Sequence, residues 1–241
     1  ELEARARAAE RLLEPCRVCP RECLAQRLEG ETGVCGVAAK AMVSSYGPHY
    51  GEERPLVGYG GSGTIFLAHC NLCCVFCQNY EISQQGEGHI VPIEDLAQMM
   101  LNLQRLGCHN INFVTPTHQV PQILRALPIA VGGGLDVPLV YNCGGYDSLE
   151  TLRLLDGIFD IYMPDFKYAD AEAAKQYSKV EHYPEVARAA LREMHRQVGD
   201  LTMDRRGIAR RGLLVRHLVL PSNLAGTGEV VRFLAEMSED T

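Results

Sequence analysis

The chain has 241 residues, 46% hydrophobic and 22% charged, with 30 acidic against 23 basic side chains for a net charge of −7. That size and hydrophobicity suit one sizeable core with a small appendage and exclude a disordered linker, while the acidic balance argues against a nucleic-acid partner. No apolar run approaches the roughly 18 residues of a membrane span, so no membrane partner is expected.

Residues 1–14, ELEARARAAERLLE, predict a helix stopped by Pro15, and their charged, alanine-rich make-up is unlike a secretion signal. Cys16, Cys19, Cys23 and Cys35 follow, among Pro20, Gly30, Gly33 and Gly36. Four thiolates in tight turns can close a zinc site or hold an iron–sulfur cluster, and the spacing does not choose between them. Residues 1–41 are thus read as a helix and cysteine-rich metal module, and residues 42–241 as the main domain. The stretch from 42 to 63, rich in Gly, Pro and Tyr, marks the boundary. Its glycines, Gly58, Gly60, Gly61 and Gly63, lack the Lys-Ser/Thr of a phosphate loop and are read as a tight turn.

A strand is predicted over 65–70 (IFLAHC), then a helix over 92–107 closed by Gly107, and a second strand over 110–115. A short helix over 118–127, a third strand over 137–143, a helix over 148–157 capped by Ser148 and a fourth strand over 160–167 follow. Residues 170–211 read as charged helical cover, 213–221 (LLVRHLVLP) as the fifth strand and 228–237 as a helix, with a sixth strand expected beyond. Repeated strand-then-helix order implies parallel strands with right-handed crossovers. The fold class is α/β: a partial, open parallel β/α barrel of about six strands, short of the eight of a closed barrel. Its active site is expected at the carboxyl ends of the strands.

Eight of the ten cysteines fall in two groups, while Cys108 and Cys143 stand alone and are read as packed thiols. Such clustering favours metal over disulfides and points to a reducing, cytoplasmic setting. Directly after the first strand stand Cys70, Cys74 and Cys77, a C-x3-C-x2-C triad whose three thiolates can hold three irons of a cubane and leave the fourth open to a ligand. Cys70, Cys73 and Cys77 form a rival triad.

With Phe76 beside the last ligand, Cys70, Cys74 and Cys77 resemble the hallmark of the radical S-adenosylmethionine (SAM) superfamily. The resemblance implies a [4Fe-4S] cluster whose open iron binds SAM and an electron donor such as a flavodoxin or ferredoxin. It also implies reductive cleavage of SAM to a 5′-deoxyadenosyl radical that abstracts hydrogen from a substrate. GSGTIFLAHCNLCCVFCQNYEIS, NINFVTPTH, VYNCGGY, DIYMPDFKY and RHLVLP resemble the branch related to pyruvate formate-lyase activating enzymes that carries an N-terminal cysteine module. A protein substrate, activated at a glycine, is what that branch implies.

Carried over by position, the cofactor contacts implied by the resemblance are Phe76 and Asn79 in the cysteine loop, and Thr115, Thr117 and His118, where the family has a Gly-Gly-Glu element. Asn142 follows the third strand, Asp165 and Lys167 the fourth, and Arg216 lies on the fifth, with Lys167 implied to pair with the SAM carboxylate. Read from the residues alone, Asp165 and Lys167 also fit an exposed ion pair, His118 a helix start, and His217 a structural residue facing away from Arg216. No catalytic acid, base or radical relay is named. Two other functions stay open: radical modification of a small molecule or RNA, and a non-catalytic iron–sulfur or zinc binding module.

Overall fold

The computed structural model describes residues 1–238. Helix α1 (Leu2–Glu10) buries Ala6 and Ala9, and an irregular, turn-rich segment carries the first four cysteines. One eight-stranded sheet then dominates. It comprises β1 (Ala41–His49), β2 (Ser62–Leu67), β3 (His89–Val91), β4 (Ile111–Val114), β5 (Leu139–Cys143), β6 (Ile161–Pro164), β7 (Thr202–Met203) and β8 (Ala209–Leu213), ordered β3-β1-β2-β4-β5-β6-β8-β7.

The central strands β2, β4, β5, β6 and β8 run parallel. Antiparallel β1 and β3 extend one side and antiparallel β7 the other. The expected parallel β/α order therefore holds, with five parallel strands rather than about six. β1 was not expected at all: its segment is the Gly/Pro/Tyr stretch read as a boundary, yet it belongs to the same sheet as the main domain. The fifth predicted strand is displaced, because pairing ends at Leu213 and only an isolated bridge between Asp165 and Arg216 continues it. Leu218 and Val219, apolar in sequence, are 54% and 68% exposed. The helical cover ends early as well, since β7 and β8 form a hairpin within 170–211.

Helix α2 (Arg54–Val57) and helix α3 (Tyr80–Ser83) are single turns. The longer α4 (Ile93–Arg105) buries Leu96, Ala97, Met100 and Leu103, a stripe at helical spacing, and Gly107 at φ 87° follows its end. Helix α5 (Val120–Gly132) outruns the short helix expected there, and Pro121 in its first turn loses no helical hydrogen bond. Helices α6 (Leu149–Leu154), α7 (Ala171–Ser178), α8 (Tyr183–Val198) and α9 (Thr227–Met237) complete the order.

Strand alternation divides the sheet's side chains between two faces. Ile65, Phe113, Tyr141, Tyr162 and Leu213 join the core under the helices. Val140, Ile161 and Met163 face the other way, where Leu56 of α2 and Ala209 pack on them. Leu56 thereby closes the amino end of the sheet's inner face. Gly63 belongs to β2 rather than to the turn, and a Cβ there would fall 2.5 Å from the Asn110 carbonyl oxygen, so glycine permits this close approach.

Candidate active site

The cysteine loop leaves the carboxyl end of β2. His69 adopts φ 69° and its imidazole fills the space beside Gly36 and Gly86, where a Cβ would fall 2.7 and 2.4 Å from the ring. Next to it, buried Asn71 donates from Nδ2 to the Tyr146 carbonyl at 2.8 Å, and Arg21 Nε donates to the Asn71 carbonyl at 2.9 Å. The loop is therefore clamped on one side by the N-terminal segment. On the other side α7 holds it: the Cys73 and Val75 N–H groups donate to the Ser178 and Tyr177 carbonyls. The Cys74 thiol lies 2.9 Å from Ser178 Oγ, and the Cys77 thiol 3.1 Å from Ser83 Oγ.

Cys70, Cys74 and Cys77 act on one another electrostatically. Burial pushes the Cys70 thiol up to about 12; the Leu72 N–H and Lys167 oppose this, while Cys74 and Cys77 add to it. Burial also raises Cys74, against Lys167 and Ser178, with Cys77 adding. Cys74 is thus within electrostatic reach of both Cys70 and Cys77. Phe76 packs edge-on against Tyr168, with ring centroids 6.2 Å apart. Asn79 is exposed at the start of α3, and its side chain makes no capping hydrogen bond.

Across from the thiols, the ends of β5 and β6 and the segment after β8 bring four predicted residues together. Lys167 Nζ donates to Asp165 Oδ2 at 2.6 Å and Arg216 Nε to Asp165 Oδ1 at 2.9 Å. A further Arg216 nitrogen donates to Asn142 Oδ1 at 2.8 Å. The exposed ion pair that Asp165 and Lys167 also fitted is not what forms, since their side chains are only 25% and 16% exposed. Burial would raise the Asp165 carboxyl, but Lys167 and Arg216 outweigh it and hold the group below its ordinary value. Burial disfavours the Lys167 ammonium, yet Asp165 and the nearby thiols hold its pKa above the ordinary lysine range.

A family model for the radical SAM superfamily matches residues 64–205, which run from β2 through the cysteine loop to Asn142, Asp165 and Lys167. The chain belongs to the radical SAM superfamily. It is also 31% identical over 232 residues to the Uncharacterized protein MJ0674 of Methanocaldococcus jannaschii, across 92% of this chain and 62% of that protein. Similarity to the Uncharacterized protein MJ0808 of the same archaeon is 28% over 156 residues, 58% of this chain and 46% of that one. The chain thus spans less than two thirds of either relative.

Membership implies an enzyme with a [4Fe-4S] cluster and SAM. The donors fit such a cluster. Neighbouring thiols that oppose each other's ionisation, as Cys70 and Cys74 do, call for positive charge at their centre, and Lys167 alone supplies little. Among the described residues no three His, Cys, Asp or Glu side chains are arranged to hold a single metal ion. A cubane's thiolates stand further apart than the ligands of one ion, so the absence of a single-ion site is no obstacle to the cluster. No helix among the described residues is long and apolar enough to cross a membrane.

The second strand's contribution differs from what the radical SAM resemblance implied. Thr115 adopts φ 61°, a conformation β-branched residues rarely take, and its N–H donates to the Asn142 carbonyl at 2.8 Å. Thr117 and His118, by contrast, are 2% and 1% exposed and brace the wall. His118 Nε2 lies 3.0 Å from the Ala68 carbonyl, which requires its proton on Nε2. Burial pushes the His118 pKa down to about 3, so its imidazole is neutral and closed off from an open site. His217 is structural, bonded to the Phe166 carbonyl and to Thr227 Oγ1.

The N-terminal thiols also gather. Burial pushes Cys19 up to about 12, opposed by the backbone at Arg21, with Cys35, Cys16 and Cys23 adding to the rise. Buried Arg27 opposes the rise of Cys35, lies 3.7 Å from the Cys16 thiol, and donates to the Ala38 and His118 carbonyls at 2.9 and 3.0 Å. All ten cysteines are free thiols. Sequence reasoning missed Glu52 and Glu53, whose carboxylates approach Arg216 to 3.8 and 3.6 Å from the β1–α2 connection. Paired acids in GEERP were the only signal, and nothing in the spacing joined them to a residue more than 160 positions away.

Proposed function

We propose that this radical SAM enzyme holds its cluster on Cys70, Cys74 and Cys77 and abstracts hydrogen from a small organic substrate. The observation that carries this is the convergence of those thiols with Lys167, Asp165, Arg216 and Asn142 at the carboxyl end of the parallel strands. When bound, the cluster supplies the electron that cleaves SAM to the 5′-deoxyadenosyl radical.

The chain's own residues orient and enclose. Lys167 and Arg216 are the cations for the SAM carboxylate, Asp165 keeps both in place, and Asn142 fixes the Arg216 fork. Phe76, Cys70 and Cys77 pack on the Leu72–Tyr168 cluster, which excludes water from one side of the loop. The four N-terminal cysteines are read as a second metal site, for which an iron–sulfur cluster suits them better than zinc because no three of them are arranged around a single ion, in a cytoplasmic enzyme fed by a flavodoxin or ferredoxin.

Resemblance to the pyruvate formate-lyase activating branch points instead to a glycine in a partner protein. Glu52 and Glu53 favour the small molecule, because a backbone glycine offers no charge for two carboxylates to recognise. Anaerobically reconstituted protein with SAM and dithionite is expected to form 5′-deoxyadenosine and methionine in equal amounts. Reconstituted, iron-loaded protein that forms neither would defeat the reading.

A further inference from the structure

We infer that the cleft at the opposite end of the sheet, between α2 and the β7–β8 hairpin, is a second ligand site. It takes a nucleoside phosphate, with the phosphates on Arg54 and Arg206 and the base on Tyr59. The cleft is separate from the thiols, so it stands apart from the radical SAM reading.

Three segments meet at the amino ends of the strands and build the cleft, which has a volume of about 460 Å³. Tyr59 precedes β2, His109 precedes β4, and the β7–β8 hairpin supplies Met203 and Arg206. Such a volume suits a small organic ligand. The thiols lie beyond the other end of β2, and Leu56, packed on Val140, Ile161 and Met163, closes the sheet's inner face between the two places.

The walls are held in place by the protein itself. His109 Nε2 accepts from the Tyr59 and Gly60 N–H groups at 3.1 Å each, which puts the ring proton on Nδ1. Gly58 permits this closeness: its φ is 46°, and a Cβ there would fall 2.5 Å from both His109 Nε2 and Ile208 Cδ1. On the hairpin, Asp204 accepts from the Arg206 and Ile208 N–H groups at 2.8 and 3.1 Å and from Arg210 at 2.7 Å, which fixes the turn that carries Arg206.

The cations of the cleft keep their hydrogen-bonding capacity. Arg206 stands 3.6 Å from Asp204 Oδ2, too far for a hydrogen bond, because Arg210 already takes that oxygen. Arg54 follows Glu52 and Glu53, yet those carboxylates approach Arg216, and the Arg54 guanidinium has no ion pair or hydrogen bond among the described residues. No carboxylate among the described residues lines the cleft, although the chain carries 30 acidic against 23 basic side chains. Two guanidiniums on a cleft that no carboxylate lines call for an anion, and their planar fork matches phosphate. Tyr59 supplies the other half of the recognition. It is 96% exposed, and a ring left so open on the wall of a cationic cleft offers a base a stacking surface, which a bare phosphate cannot use.

Isothermal titration calorimetry of the full chain with ATP, tripolyphosphate and adenosine tests this. Stacking on an aromatic ring tolerates any base, so ATP stands for the class. ATP is expected to bind saturably, tripolyphosphate about tenfold more weakly for want of the stacked base, and adenosine not detectably. Arg54→Gln and Arg206→Gln are each expected to weaken ATP about tenfold, through the loss of charge-assisted hydrogen bonds. Tyr59→Ala is expected to weaken ATP about tenfold and to leave tripolyphosphate unchanged. Arg232→Gln makes the same charge change on exposed α9 and is expected to leave ATP binding as it is in the wild type. All four side chains are exposed, so each variant is expected to keep the wild-type melting temperature. Absence of ATP binding, tripolyphosphate or adenosine binding as tightly as ATP, or an affinity for ATP that survives Arg54→Gln, Arg206→Gln or Tyr59→Ala would overturn the inference. So would a loss in Arg232→Gln as large as that in Arg54→Gln, since it would reduce the effect to net charge.

Discussion

The two cysteine groups share a composition and differ in what surrounds them. At the N-terminus four thiols sit with one fully buried arginine whose guanidinium donates chiefly to backbone carbonyls and also reaches the Cys16 thiol, an arrangement that stiffens a module against the sheet. After β2, three thiols face a lysine and an aspartate on the segment after β6 and an arginine after β8, and serine hydroxyls meet two of the sulfurs. The first group is closed on itself, while the second opens onto charges that a cofactor can engage. Two clusters of the same residue are thus distinguished by where their neighbouring cations are committed.

The largest effect that could break this contrast belongs to Arg27. Its replacement in Arg27→Met leaves the Ala38 and His118 carbonyls without their donor, and is expected to cost about 3 kcal/mol in urea unfolding. A loss below about 1 kcal/mol would show that the arginine does not stiffen the module.

His118, which joins the two regions through its own carbonyl and the Ala68 carbonyl, gives the next. Its folded pKa, about 3, lies below the unfolded value, so its contribution is complete above about pH 6.5 and is lost as the pH falls. Between pH 7.5 and 5 the wild type is expected to lose about 2 kcal/mol more than His118→Gln does, by denaturant titration at each pH. Parallel losses in the two proteins would place the protonation elsewhere.

Asp165 sharpens the second region. Its depressed carboxyl contributes stability above the unfolded aspartate range and gives it up as the pH falls below about 4. Asp165→Asn is therefore expected to cost about 1–2 kcal/mol at pH 7 and progressively less below pH 4, discounted for partial exposure, in the same titrations. A cost that does not change with pH would separate Asp165 from the charge pairing.

The parallel β/α order was legible in the sequence because β4, β5 and β6 are short, apolar and followed by amphipathic helices. β1 was not, since its second half is polar and exposed and it borrows its partners from β2 and β3. Likewise, LLVRHLVLP keeps hydrogen bonds to the β6 side only as far as Arg216, and Leu218 and Val219 beyond it are exposed, so hydrophobicity overran the strand where hydrogen bonding ended. At the site, the cysteine triad was visible because its ligands are close in sequence, and Asp165, Lys167, Asn142 and Arg216 through resemblance. Glu52 and Glu53 are joined to Arg216 only by ion pairs across more than 160 positions, which a single sequence does not display. His118 lies in the short turn Thr117–Gln119 that opens α5, as a helix-start residue would, but its burial comes from packing that a single sequence does not display.

Comparison of Cys74→Ala with Cys73→Ala, each reconstituted anaerobically and assayed for bound iron and for 5′-deoxyadenosine from SAM and dithionite, tests the assignment of the reactive cluster most directly. The thiol grouping predicts that Cys74→Ala loses the cluster's iron and falls to background, while Cys73→Ala keeps both. Loss confined to Cys73→Ala would contradict it.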